Sequence, residues 1–421
     1  MQLSRNTILT KTLYTVLLSS CLLASHAFAA PAKGIWTTMQ GGPAHTGYAA
    51  QTTNPGNYHV IWSKTVFEKN DGDRGYGLGL TGQPLITDNN VYFTINHFST
   101  ILGDQHELIA LNINTGENVW GAQFKDFNGI SMPILSEGNL IVTLDKFNED
   151  HSQLNVYQPE TGKLKSVLQI PGTYWRDPIA YDGNLYLNAQ EAMTSVDAAT
   201  GLANWKINHN VSIVSPAISD NYLIMVLDED RGHGIDILNR KTGELISSIG
   251  IPREFYHHPA RRYPVLDEKN DAVYFIYRSN RAPTSFLHAF DLKKQAIKWV
   301  VPSVFNQVIV VDDDVYAIMW DELNKFQLVD INALTGEIKW TWKPSGTEEL
   351  ELGDAYNNAP VATSDVIFVA GVTKTYAISR ATHQKVWEIE KTGTLSLGKG
   401  VLLINSTEHE KTQKVTAVAL N

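Results

Sequence analysis

Short runs in which apolar and polar residues alternate, rich in β-branched and aromatic side chains, recur along most of the chain. Period-two alternation of this kind predicts half-buried strands. The clearest runs, each opened by a proline, cover 84–95, 133–144, 178–187, 216–227, 264–277 and 360–369, with weaker copies at 308–319 and 395–404. Each is interrupted by Asn, Asp, Gly or Ser, so each reads as a hairpin. A second hairpin follows, built on the pattern small-x-Asx-x-x-Thr-Gly-x-x-x-Trp. Its best copy runs from Ala110 through Asn112, Thr115 and Gly116 to Trp120. It recurs at Asp197/Gly201/Trp205 and Asn332/Gly336/Trp340. Degenerate copies stand at Gln158/Gly162/Ser166, Asn239/Gly243/Ser247, Asp291/Gln295/Trp299 and Ser379/His383/Trp387. The Asx side chain satisfies the turn backbone and glycine accepts the left-handed conformation.

Two hairpins per unit, eight times over, predict an all-β chain: an eight-bladed β-propeller of four-stranded antiparallel blades. The small residues Ala110, Ser195, Ala289, Ala377 and Ala419 are expected to make room for the indole of a neighbouring repeat, with Trp62, Trp120, Trp205, Trp299, Trp340 and Trp387 as structural docking residues. Residues 415–421 start one more copy, with Ala419 and Asn421 in its register, and stop before its Trp strand. That strand stands alone near the other end, around Trp62. The N- and C-terminal strands therefore close the ring in one blade, which removes exposed sheet edges between first and last blade.

The composition changes the picture at the N-terminus. Arg5 and Lys11 precede an apolar stretch at 13–25 and a small-x-small site at Ala27-Phe28-Ala29, the pattern of a signal peptide cleaved after Ala29. The domain reading is a signal peptide at 1–29, a leading segment at 30–58 and a single propeller domain at 59–421. The one cysteine, Cys21, lies inside the signal. Leu18-Ser19-Ser20-Cys21 also reads as a lipoprotein cleavage box, so a lipid tether at Cys21 stands as the alternative. Either way the mature chain has no disulfide or thiolate metal site. No later stretch reaches the roughly 18 apolar residues of a membrane-spanning helix. The expectation is a periplasmic or secreted protein, or an outer-membrane lipoprotein. The formal charge of -10 argues against nucleic acid as a partner.

The Ser195-to-Trp205 repeat, read as Ala-x-Asp-x-x-Thr-Gly-x-x-x-Trp, resembles the tryptophan-docking motif of the PQQ-like eight-bladed propellers. Residues 36–47, Trp-Thr-Thr-Met-Gln-Gly-Gly-Pro-Ala-His-Thr-Gly, are similar to the leading segment of such proteins. That superfamily includes quinoprotein alcohol dehydrogenases and the propeller lipoprotein of outer-membrane β-barrel assembly, and the chain is closest in character to the latter. WD40 and kelch signatures are missing: Trp320-Asp321 has no Gly-His partner, and Gly41-Gly42 stands outside the repeats.

In a propeller the connections into each first strand surround the central channel, so residues there are the candidate rim. They include Arg74, Tyr76, Arg176, Asp177, His257, His258, Arg261, Arg262, Asp354, Asn357 and Asn358. The His257-to-Arg262 group offers imidazole and guanidinium groups to a carboxylate, a quinone oxygen or an acidic loop, or is simply a solvated loop. Arg176 and Asp177 orient a channel ligand or pair to fix a strand start. Asp354, Asn357 and Asn358 supply oxygen ligands to calcium or form turns. Asp71-Gly72-Asp73 lacks the rest of a calcium loop, while Asp312-Asp313-Asp314 and Asp228-Glu229-Asp230 read as exposed turns. His106-Glu107 lacks a zincin's second histidine, and no nucleophile elbow or phosphate loop occurs.

Three functions stay in view. The first is a non-enzymatic exported scaffold for envelope proteins or an envelope ligand, with no cofactor expected and no metal. The second, implied by the resemblance, is a compact PQQ-dependent dehydrogenase with calcium and an Asp such as Asp354 as base, although the family's vicinal disulfide cannot form in a thiol-free chain. The third is a secreted lectin or adhesin.

Overall fold

The structure is a computed structural model. It describes residues 36–421 except 70–78, 81, 99–103, 147–148, 173–177, 190–191, 209–213, 228–233, 251–262, 279–284, 305–306, 321–324, 351–358 and 409–411. All that follows concerns the unit Pro31–Asn421.

The Asx-Thr-Gly turns explain the strand pairs around them. At the first copy, Asn112 Oδ1 accepts from the backbone N–H of Asn114 (2.9 Å) and Thr115 (3.1 Å). The Gly116 N–H donates to the Asn112 carbonyl at 2.9 Å. The side chain thus occupies donors that a tight turn would leave bare. The same caps form at Asp197, Asn239, Asp291 and Asn332. Each turn joins the third and fourth strands of a sheet.

Eight antiparallel sheets result. Blade one runs from a first strand split into Gly79–Leu80 and Leu85–Ile86, through Asn90–His97 and Gln105–Asn112, to Asn118–Lys125 at its outer edge. Blade two likewise splits its first strand, into Gly129–Ile130 and Ile134–Ser136, and ends on Leu164–Pro171. Blades three to seven follow in chain order, with outer strands Ala203–Asn208, Leu245–Gly250, Ala296–Pro302, Ile338–Trp342 and Lys385–Ile389. Blade eight takes Thr394–Gly398, Val401–Glu408 and Thr412–Ala419 from the C-terminus and His59–Glu68 from the N-terminus. First strands of blades two and three, and of blades four through eight in succession, lie against one another, and those of blades eight and one meet. The molecule is an eight-bladed β-propeller closed by its own ends.

The apolar clusters lie between blades. Ile134, Ile141, Leu154 and Ile170 of blade two share one cluster with Leu185, Leu187 and Val196 of blade three, and blades six and seven share another around Ile318, Ile367 and Ile378. A second strand such as Val366–Ala370 is buried along its whole length, facing a neighbour on each side. A sheet packed on both faces carries continuous apolar runs rather than alternation. Outer strands, reached by water, return to mixed patterns.

Two register expectations are corrected. Ala110, Ser195, Ala289 and Ala377 stand opposite Trp120, Trp205, Trp299 and Trp387 of their own blade. The small side chain leaves room for the indole on the adjacent strand, not for that of the next repeat. In the closing blade the residue opposite Trp62 is Ala417, whereas Ala419 pairs with His59. The Leu420 N–H donates to the Gly400 carbonyl just as Ile113 N–H donates to Asn89, so Ala419 holds the Asx position and the phase differs by two residues.

Candidate functional site

The eleven rim candidates, Arg74, Tyr76, Arg176, Asp177, His257, His258, Arg261, Arg262, Asp354, Asn357 and Asn358, all lie outside the described residues, as do Asp71-Gly72-Asp73 and Asp228-Glu229-Asp230. The six tryptophans are placed, and four bind the next blade in one way. The indole N–H of Trp62 donates to the Ile113 carbonyl (2.7 Å), Trp120 to Pro159 (2.7 Å), Trp205 to Arg240 (3.1 Å) and Trp299 to Ala333 (3.0 Å). The rings lie over the turn glycines: a Cβ on Gly116 or Gly162 would come within 2.7 or 2.4 Å of an indole carbon. Trp340 stacks on His383 instead, with ring centroids 4.5 Å apart, because this histidine replaces the glycine at φ 60°. Trp387 meets Tyr58 edge-on at 5.4 Å, since the closing blade has no such turn.

Residues 36–51 cross the innermost strands. The Trp36 backbone exchanges two hydrogen bonds with Ile86 of blade one. Carbonyls of Thr37, Pro43, Ala44, Thr46 and Gly47 accept from Leu135, Ile218, Leu266, Val310 and Ala362, which belong to blades two, four, five, six and seven. Gln51 Oε1 accepts from Gly400 in blade eight at 2.9 Å. The strap therefore touches seven blades at the channel end bearing the first-to-second-strand turns. Most of its bonds to the blades come from backbone groups, so its residues do not reveal which blades it meets. Trp36, Thr38, Met39, Gln40 and His45 are buried in it. Gln83 ties it sideways, accepting from Gln40 N–H at 2.7 Å and donating to the Leu395 carbonyl at 3.0 Å.

His45 lies at the centre of this strap. Its Nδ1–H donates to the Pro264 carbonyl at 3.1 Å, its ring packs on Tyr263 at 4.9 Å, and Nε2 has no partner among the described residues. Complete burial pulls its pKa down to about 4, against the weaker opposing effect of the Pro264 carbonyl.

Two arginines missed in the sequence staple blades together. Arg240, on the residue after the Asx position, reaches Asp182 (2.8 Å) and the Tyr186 hydroxyl (3.1 Å) of blade three and is steadied in its own blade by the Asp220 carbonyl (3.2 Å). Arg380 occupies the same position in blade seven and reaches Tyr316, Asp312 and Asp314 of blade six. The signal was present as an Arg after the Asx residue matched by an Asp in the preceding blade's first turn. Asp312, Asp313 and Asp314 do form a turn, but one whose carboxylates pair with Arg380, Lys269 and Lys339. Nearby, Asp330 is buried, and desolvation pushes its carboxyl up to about 6 against smaller pulls from Trp340 and Arg380. His106 is structural: its Nε2 lies 2.9 Å from the Phe127 carbonyl.

Among the described residues no group of three or more His, Cys, Asp or Glu could hold a metal ion, and no helix is long and apolar enough to cross a membrane. The candidate calcium ligands Asp354, Asn357 and Asn358 lie outside the described residues.

Among solved structures, the chain is similar to BamB from Moraxella catarrhalis, at 14% identity and a TM-score of 0.56 over 86% of this chain and 99% of that one. It is similar to Sqt1 from Saccharomyces cerevisiae at 10% identity and a TM-score of 0.50, over 88% and 99%. The quinohemoprotein alcohol dehydrogenase of Comamonas testosteroni aligns at 13% identity over 92% and 80%, with a TM-score of 0.47. At such identities the first two likenesses speak for the fold alone. No curated protein sequence matches the chain. The model of the PQQ-like repeat family described as outer membrane protein assembly factor BamB matches residues 104–342, more than half of the chain. Blades one to six supply that stretch with the turns, tryptophans and outer strands described above, and the chain belongs to this family.

Proposed function

We infer that this protein is a non-catalytic binding scaffold of the cell envelope, which holds other envelope proteins on its blades and faces. The family match over residues 104–342 carries the reading. The architecture supports it: eight blades offer a long perimeter of outer strands, and the strap occupies one end of the channel with hydrogen bonds to seven blades. Export follows from the signal-like residues 1–29, cleaved after Ala29 or, through Cys21, joined to lipid.

The test is reversible cross-linking in cells with the mature chain as bait, followed by identification of what is held. Recovery of the same outer-membrane assembly proteins in each replicate supports the scaffold. Thermal stabilisation by PQQ and calcium, together with dye reduction by alcohols, would overturn it in favour of the dehydrogenase, because a ligand bound only by the native state raises its melting temperature. Replacing Cys21 by Ala releases the chain from the membrane fraction only if a lipid holds it there.

A further inference from the structure

Each blade ends in an outer strand with one open edge. Such an edge presents bare N–H and C=O groups to any extended segment that arrives, and proteins blunt it with lysine or proline. Seven of the eight outer strands here carry a lysine: Lys64, Lys125, Lys165, Lys206, Lys298, Lys339 and Lys385. In blades two, five and six it stands immediately before the Trp position, as Lys165, Lys298 and Lys339. Blade four is the exception. Its outer strand, Leu245–Gly250, reads Leu-Ile-Ser-Ser-Ile-Gly, with Ile246 where those three blades place lysine and Ser247 where most blades place tryptophan.

The strand is open as well as uncharged. Leu245 is 52% and Ile246 49% exposed, so two adjacent large apolar side chains flank the bare backbone. A register shift falls between Ile237 and Leu238 of the paired strand, at the level of Ile246, yet the ladder continues to Gly234 opposite Gly250. The strand is thus a regular β template over its second half.

We propose that this edge of blade four is where an extended segment of another protein adds as a fifth strand, which deepens the scaffold reading and rests on it. Backbone hydrogen bonds supply the affinity, and Leu245 and Ile246 select apolar side chains on the incoming segment. The segment is neutral or basic: a chain of formal charge -10 repels a second copy of itself and any acidic strand. A heterologous partner is therefore favoured over edge-to-edge dimerisation.

The experiment uses the full mature chain and a labelled peptide of alternating valine and threonine with lysine-capped ends, beside a twin capped with glutamate. The expected result is saturable binding of the lysine-capped peptide, slowed amide exchange confined to 245–250, and binding weakened about tenfold or more by I246K. I297K, on an outer strand that already holds Lys298, leaves binding unchanged. Should I246K fail to fold, S248K replaces it, since Lys206 stands at the same point of blade three. No saturable binding, protection on another blade, equal binding of the glutamate-capped twin or indifference to I246K overturns the proposal. So does a dimer of the chain that I246K abolishes, which would assign the edge to a second copy. If envelope partners are held equally by wild type and I246K while the peptide is not bound, this proposal falls and the scaffold stands.

Discussion

His45 and Asp330 are buried ionisable groups pushed in opposite directions along the pH axis. A histidine whose pKa drops from its ordinary 6.5 to about 4 is held neutral by the fold. The unfolded chain then takes up a proton that the native state refuses, so stability present above pH 6.5 drains away as pH falls towards 4. A shift of this size is worth about 3 kcal/mol, and His288, buried against Phe275 and lowered to about 4 by burial, behaves alike. Asp330, raised to about 6, works the other way: the native state favours its protonated form, so its stabilising effect is present below pH 3.8 and lost as pH rises through 6. His106, which burial also pushes down, joins His45 and His288 in losing stability on acidification, against the opposite effect of Asp330. Melting temperatures from pH 7 to 4 should therefore fall less steeply for His45→Asn than for wild type. Asp330→Asn should melt higher than wild type at pH 7 and converge with it near pH 4. Parallel curves for all three chains would remove these residues from the account. None of this was legible from the residues alone, because His45 meets its partner Pro264 across 219 positions.

Between elements, the recurring contact is an indole laid on the turn of the following blade. Truncating Trp120 to Ala removes a large, partly buried ring and its bond to Pro159, at a cost of about 3–5 kcal/mol. Gly162→Ala attacks the same contact from below, at φ 67° and with a Cβ 2.4 Å from the indole. It should cost at least 1–2 kcal/mol for the backbone conformation alone, roughly, before the ring is displaced. The double variant should cost clearly less than the two singles together, because without the ring the methyl group meets no clash. Additive losses in denaturant titrations would show that ring and turn are not coupled. The turns were legible because Asn, Thr and Gly at fixed offsets act within five residues. The partner of each small residue was not, since strands pair across a bulge that sequence spacing does not reveal. The same holds for Ala417, whose phase is set by Gly400 rather than by a following turn.

Over the whole molecule, closure depends on His59–Glu68 pairing with Thr412–Ala419, more than 340 residues apart. A chain truncated after residue 411 loses the strand that joins both ends of blade eight and bares Val401–Glu408 on one edge and His59–Glu68 on the other. It should give aggregates rather than a cooperatively melting monomer, as followed by sedimentation and circular dichroism. A sharp wild-type-like transition would mean that the ring stands without its latch.

The repeating unit, the number of blades and the sharing of the last blade by both termini can all be read from the residue order. Those features arise from turn chemistry and alternation acting over a dozen residues or fewer, repeated until the pattern is unmistakable. The path of residues 36–51 across seven blades, the Arg240–Asp182 and Arg380–Asp314 staples, and the contrast between one lysine-free outer strand and seven that carry lysine emerge with the folded ring. Each of these depends on which distant strands become neighbours once the ring closes: backbone hydrogen bonds leave no mark in the chain, and an arginine after the Asx position reads as a staple only when the preceding blade's first turn is known to face it.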